Sequence, residues 1–230
     1  MTHFLPADSP LLNPPSSLTP KQRVALDGIR LAFDMLAMAW TRLVDELTDI
    51  SIDRETGASR SRLTTTYMNA WIVVDVLHRL RLLVNALPGL KRPPPEVEAA
   101  IRGLVEVRSV RDGLQHVDRE LQNAATHQRP LWGTISWVRS SPNPGQALTR
   151  IYTLILGGIR DGEWPFPNPL GKTIDVPVGM ITVDAFGQSL DLSLQVSRAR
   201  SIARYLDAAA RAVPNSDGGL ADILMSVDVA

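Results

Sequence analysis

Apolar residues recur every three or four positions through the first half of the chain and every second position beyond about residue 131. This change of period constrains the fold more than any other feature, because a helix repeats every 3.6 residues and a strand every two. It predicts an α+β protein: a helical bundle of three long helices plus a C-terminal helix, with an appended four-stranded antiparallel β-sheet. An apolar fraction of 44% in 230 residues is ample for a packed core.

Five prolines (6, 10, 14, 15 and 20) fall in the first twenty residues, so 1–19 is expected to be an extended arm, mobile or laid across a neighbouring surface. Thr19, Pro20 and Gln22 then form a helix start: a hydroxyl at the N-cap, a proline where a missing N–H costs nothing, and an amide three residues on that closes a capping box. Ile29, Phe33, Leu36, Trp40, Leu43 and Leu47 mark the buried stripe of this first helix. A second stripe runs from Met68 through Trp71, Leu77 and Leu80 to Leu87 and stops at Pro88-Gly89. The third begins after Pro93–Pro95 and runs through Val97, Leu104, Val107, Val110 and Leu114 to Leu121. Gly103 and Gly113 lie inside it, which predicts a kink near 109–113.

Four period-two runs follow, at 132–139, 147–156, 173–184 and 189–196. In the last, Leu190, Leu192, Leu194 and Val196 alternate with Asp191, Ser193 and Gln195, as in a strand with one wet face. A fourth helix is expected from Arg198 to about Val213, then a flexible tail at 214–230. The expected organisation is therefore an arm (1–19), a helical bundle (20–130), a sheet with the C-terminal helix packed on the bundle (131–213), and the tail.

Several chemistries drop out on composition and spacing. Cysteine is absent, which removes disulfides, thiolate catalysis and cysteine-held metals. Basic and acidic residues balance at 24 each, so nothing draws the whole molecule onto nucleic acid, and an RNA site has to be a local patch. The N-terminus lacks a basic stretch followed by an apolar one, and no run reaches the roughly 18 apolar residues of a membrane span. A cytoplasmic protein without membrane contact is expected. Gly171-Lys172-Thr173 ends like a phosphate-binding loop, but Phe166 stands where that loop needs glycine. Asp75 with His78, and His116 with Glu120, have spacings that let each pair face one ion, and His78, His116 and His127 leave a mononuclear site open. The dinuclear pattern of two Glu-x-x-His units is missing. No cofactor or metal is expected.

The remaining candidate is "RDGLQH", Arg111 to His116. Five helical residues correspond to about 7.5 Å of rise and roughly 140° of rotation, so the two side chains flank a groove and do not share a face. Arginine donates paired hydrogen bonds to a phosphate, and histidine titrates near neutrality and moves protons. Asp112, four residues before His116, is positioned to orient the imidazole. Arg108 and Arg119 are the local cations for RNA. The competing reading is a hydrated helix face on which Arg111 pairs with Glu106 or Asp118, and His116 with Asp112 or Glu120.

The motif resembles that of the HEPN superfamily, helical bundles carrying arginine, a small or polar residue, three variable residues and histidine. The resemblance covers about 20–130, and the sheet lies outside the family core. It implies a homodimer in which two motifs face one cleft and cut RNA without a metal, with Arg111, Asp112 and His116 as the catalytic residues. The family also contains non-catalytic members, so the alternative it implies is a protein-interaction or scaffolding module with a protein partner.

Overall fold

The computed structural model describes residues 3–52, 58–89, 93–127, 129–140, 149–156 and 177–213. The capping box forms as read: the Thr19 backbone N–H donates to Gln22 Oε1 (3.0 Å) and the Gln22 N–H to Thr19 Oγ1 (3.3 Å). Helix α1 (Pro20–Ile52) buries all six residues of its predicted stripe. It packs along α2 (Arg60–Ala86), whose start is capped by the Ser59 hydroxyl, accepting from the Arg62 N–H. The arm is laid on the bundle. Phe4, Leu5 and Leu11 are buried, the Phe4 ring stacks on Phe33 at 5.8 Å, and Arg211 at the end of the last helix grips Asp8 with two 3.0 Å bonds.

The third predicted helix is segmented. Helix α3 (Pro95–Gly103) passes through a 3-10 turn (Leu104–Glu106) into α4 (Val107–Gln115), and α5 (Val117–Thr126) follows after His116. The breaks fall at 104–106 and at 116 instead of the expected 109–113, because both glycines serve close approach. A Cβ on Gly103 would lie 2.3 Å from the Arg198 guanidinium, and one on Gly113 would lie 2.4 Å from the Phe186 ring. Arg198 donates to the Gly103 carbonyl and to Glu106 (2.9 Å each), and the fully buried Gln195 donates to Glu106 at 2.7 Å. The last helix thereby clamps the 3-10 turn.

Strands β1 (Thr134–Ser140), β2 (Thr149–Ile155), β3 (Ile181–Ala185) and β4 (Gln188–Asp191) form one antiparallel sheet in the order β2-β1-β3-β4. The first two match their predicted runs. The third covers the end of the 173–184 run, whose residues 173–176 lie outside the described residues, as do the tail at 214–230 and the Gly171-Lys172-Thr173 tripeptide. The fourth run needs correction: it is strand only to Asp191, and helix α6 (Leu192–Arg211) begins six residues before the expected start. Asp191 caps that helix, its carboxylate accepting from the Leu194 N–H at 2.9 Å.

Side chains of three helices bond to the sheet, Ser193 Oγ of α6 among them, accepting from the Ile181 N–H of β3 at 2.8 Å. The Tyr67 hydroxyl on α2 donates to the carbonyls of Gly133 (2.8 Å) and Leu154 (3.0 Å), and the Trp137 indole N–H on β1 donates to Ser51 Oγ on α1 (2.8 Å). Buried side chains of arm, helices and sheet form a single hydrophobic cluster. No helix among the described residues is long and apolar enough to cross a membrane.

Candidate functional site

Helix α4 is anchored by Val107 and Val110, both fully buried, which turns Arg108, Asp112 and Gln115 towards solvent. Arg111 lies between these faces with a side chain only 20% exposed, against α2. Its Nε is 3.7 Å from Asp75 on α2, its Nη1 donates to Gln115 Oε1, and the same Nη1 is 3.6 Å from Asp112. Asp75 also accepts from Arg79 at 2.6 Å, and Asp112 from Arg108 at 3.2 Å. Arginines and aspartates thus alternate along the α2/α4 junction.

Helix α4 ends at His116, whose backbone (φ −115°, ψ 39°) leaves the helical region. The His116 N–H donates to the carbonyls of Asp112 and Gly113, and its own carbonyl accepts from Arg119 and Glu120, so one residue closes α4 and opens α5. The imidazole is exposed, with no side-chain partner among the described residues. Asp112 makes no hydrogen bond to it, since that carboxylate is held by Arg108 and Arg111. Arg119 is exposed on α5. The predicted cluster is therefore assembled in part: Arg108, Arg111 and Asp112 are joined, while His116 stands apart at the helix junction.

The histidine that does lie within the field of Arg111 is His78, one turn after Asp75 on α2 and 6% exposed. Burial, then Arg111 and Arg81, lower its pKa, and Asp112 and Asp75 oppose them more weakly. Its Nδ1, Arg81 Nε and Arg111 Nε are buried without a hydrogen-bond partner among the described residues. The sequence places Asp75 and His78 on one helix face, but only the packing of α2 on α4 shows that this face meets Arg111. Among the described residues no group of three or more histidine, aspartate and glutamate side chains could hold a metal, so the three-histidine site is not assembled.

Beside this junction opens a cleft of about 600 Å³. Met35 of α1, Met68 and Trp71 of α2, Leu114 of α4 and Trp132 before β1 line it, and Asp75 is its one charged wall residue among those described. The volume and the apolar lining are those of a small-molecule site. No family model matches the chain, and no curated protein and no solved structure matches it.

Proposed function

We propose that the chain is a HEPN-like, metal-independent endoribonuclease acting as a homodimer, with the motif of each copy facing a shared cleft. The observation that carries this reading is the state of His116: exposed at a helix junction, free of side-chain partners among the described residues, and five positions after an arginine that is ion-paired to Asp75. In the reaction, His116 takes the proton of a ribose 2′-hydroxyl and the 2′-oxygen attacks phosphorus. The P–O5′ bond breaks, the departing 5′-oxygen takes a proton from water, and a 2′,3′-cyclic phosphate remains. Arg111 binds the phosphate and stabilises its developing charge, exchanging Gln115 for the substrate oxygen, while Arg108 and Arg119 supply local cations. Val105 and Leu121, apolar and exposed on either side of the motif, support a pairing surface there.

Incubation of wild type and His116→Ala with mixed RNA in EDTA tests the reading. Cleavage by the wild type alone, leaving cyclic phosphate ends, is expected. Equal activity in both, or none in either, removes it.

A second reading, a non-catalytic interaction module, is favoured by Arg111 and Asp112 being engaged within the protomer by Asp75, Gln115 and Arg108. It takes over if the folded wild type cuts no RNA.

A further inference from the structure

We propose that the outer face of α1 is a self-association surface, on which a second copy of the chain lays its own α1 antiparallel about a twofold axis at the level of Phe33. The inference does not rest on the nuclease reading. Val24, Gly28, Leu31, Met35 and Met38 recur at spacings of four and three, the heptad of a helix–helix seam. This seam is distinct from the stripe that α1 buries in the core, and its four side chains are between 41% and 71% exposed. Met35 and Met68 line the same cleft, so the apolar surface continues from the middle of the seam onto α2. From residue 21 to residue 45 the helix is about 36 Å long, and with α2 beside it the face is about 20 Å wide. Such a face covers roughly 700 Å², close to the roughly 800 Å² that each partner gives to a stable interface.

Charge at the two ends of the seam selects a second copy as the occupant. The heptad continues backwards to Lys21 and forwards to Arg42 and Asp45, all three exposed. Among the described residues these three make no ion pair, whereas Asp27, Arg30, Asp34, Glu46 and Asp49 of the same helix are paired within the chain. The face is therefore cationic at its start, apolar through its middle and ends on a carboxylate, a pattern complementary to itself when reversed. Antiparallel pairing sets Leu31 against Met35 of the second copy and Lys21 against Asp45 of the second copy, twice over by symmetry. Arg42 then lays its aliphatic stem over Val24 of the second copy. Parallel pairing instead sets Lys21, Arg42 and Asp45 each against its own equivalent, three like-charge contacts, which excludes that orientation.

The test is sedimentation equilibrium of the full chain at low salt over a concentration series. Self-association is expected, weakened about tenfold or more by Met35→Glu, an exposed position outside the core. Lys21→Asp and Asp45→Lys should each weaken it about fivefold, and the two together in one chain should restore it, because the reversed pair attracts again. The chain has no cysteine of its own, so single introduced ones report the orientation. A short bismaleimide should join Leu31→Cys, beside the axis, and not Arg42→Cys, about 27 Å from its equivalent by helix rise. A monomer at all concentrations overturns the proposal, as does joining at both positions or at neither. Association indifferent to Met35→Glu, or a double charge reversal that fails to restore it, overturns it too and leaves the α4–α5 pairing of the nuclease reading standing. If both surfaces pair, the wild type is a tetramer that Met35→Glu reduces to a dimer, with RNA cleavage retained.

Discussion

His78 is a buried base among arginines, and its protonation is coupled to folding. Burial, Arg111 and Arg81 hold its pKa below the ordinary 6.5 in the folded chain, while the unfolded chain titrates near that value. Below pH 6.5 the unfolded state therefore binds a proton that the native state refuses. The stability associated with the neutral ring is complete above pH 6.5 and declines as pH falls towards the folded pKa. Urea midpoints at pH 7.5 and 5.5 should accordingly drop further for the wild type than for His78→Gln, whose side chain does not titrate. Equal drops in the two proteins would show that His78 is not the linked group. Sequence pattern could identify Arg111 as a candidate because its spacing to His116 is local. It could not identify His78 or Asp75 as its neighbours, because that contact depends on which face of α2 meets α4. Asp112 shows the converse: a carboxylate four residues before a histidine was well spaced to orient it, yet Arg108 and Arg111 are better partners for a negative charge and hold it instead.

At the scale of elements, long amphipathic stripes were legible and their interruptions were not. The run from 189 to 196 satisfies two periods at once. Leu190, Leu192, Leu194 and Val196 alternate, but Leu192, Val196, Ala199, Ile202 and Ala203 also recur at helical spacing and are the residues that become buried, while Leu194 is left exposed. The helical period wins because it continues for twenty residues and because Asp191 supplies a cap. By sequence Gly113 is a weak point in a helix, whereas in the fold it is the seat of the β3–β4 hairpin. Phe186, held at φ +55° in the two-residue turn with Gly187, lays its ring over Gly113 and 5.9 Å from Trp71. Alanine for glycine inside a helix ordinarily gains about 0.5–1 kcal/mol. Here the new methyl would meet the Phe186 ring at 2.4 Å and its Cβ at 2.9 Å, and the turn backbone fixes that Cβ. Gly113→Ala should therefore lower stability by about 1–3 kcal/mol in the wild type. The same change should be neutral or stabilising in a Phe186→Gly background, and a denaturant double-mutant cycle measures the difference. A loss unchanged by Phe186→Gly would place its origin elsewhere in α4.

At the scale of the whole molecule, the proposed chemistry depends on how many copies meet at the motif. Within one protomer Arg111 is turned onto α2 and largely covered, while His116 faces solvent beyond the end of α4. Five residues of helix already separate the two side chains by roughly 140°, and the helix stops between them and the next turn of chain. In the proposed dimer, a twofold pairing over the α4–α5 surface would bring each Arg111 towards the His116 of the other copy. With zero net charge, RNA binding of the proposed kind would depend on these local arginines and not on the molecule as a whole. Arg111→Ala and His116→Ala should each be inactive alone. When equal amounts are unfolded together and refolded, about half of the dimers carry one copy of each by random pairing, and these retain one intact arginine and one intact histidine at the shared cleft. Partial recovery of cleavage in the mixture is the expected result, with light scattering to confirm the dimer. Failure to recover activity from mixed dimers would confine the site to one chain, and a species of 25.2 kDa at micromolar concentration would remove the shared cleft altogether.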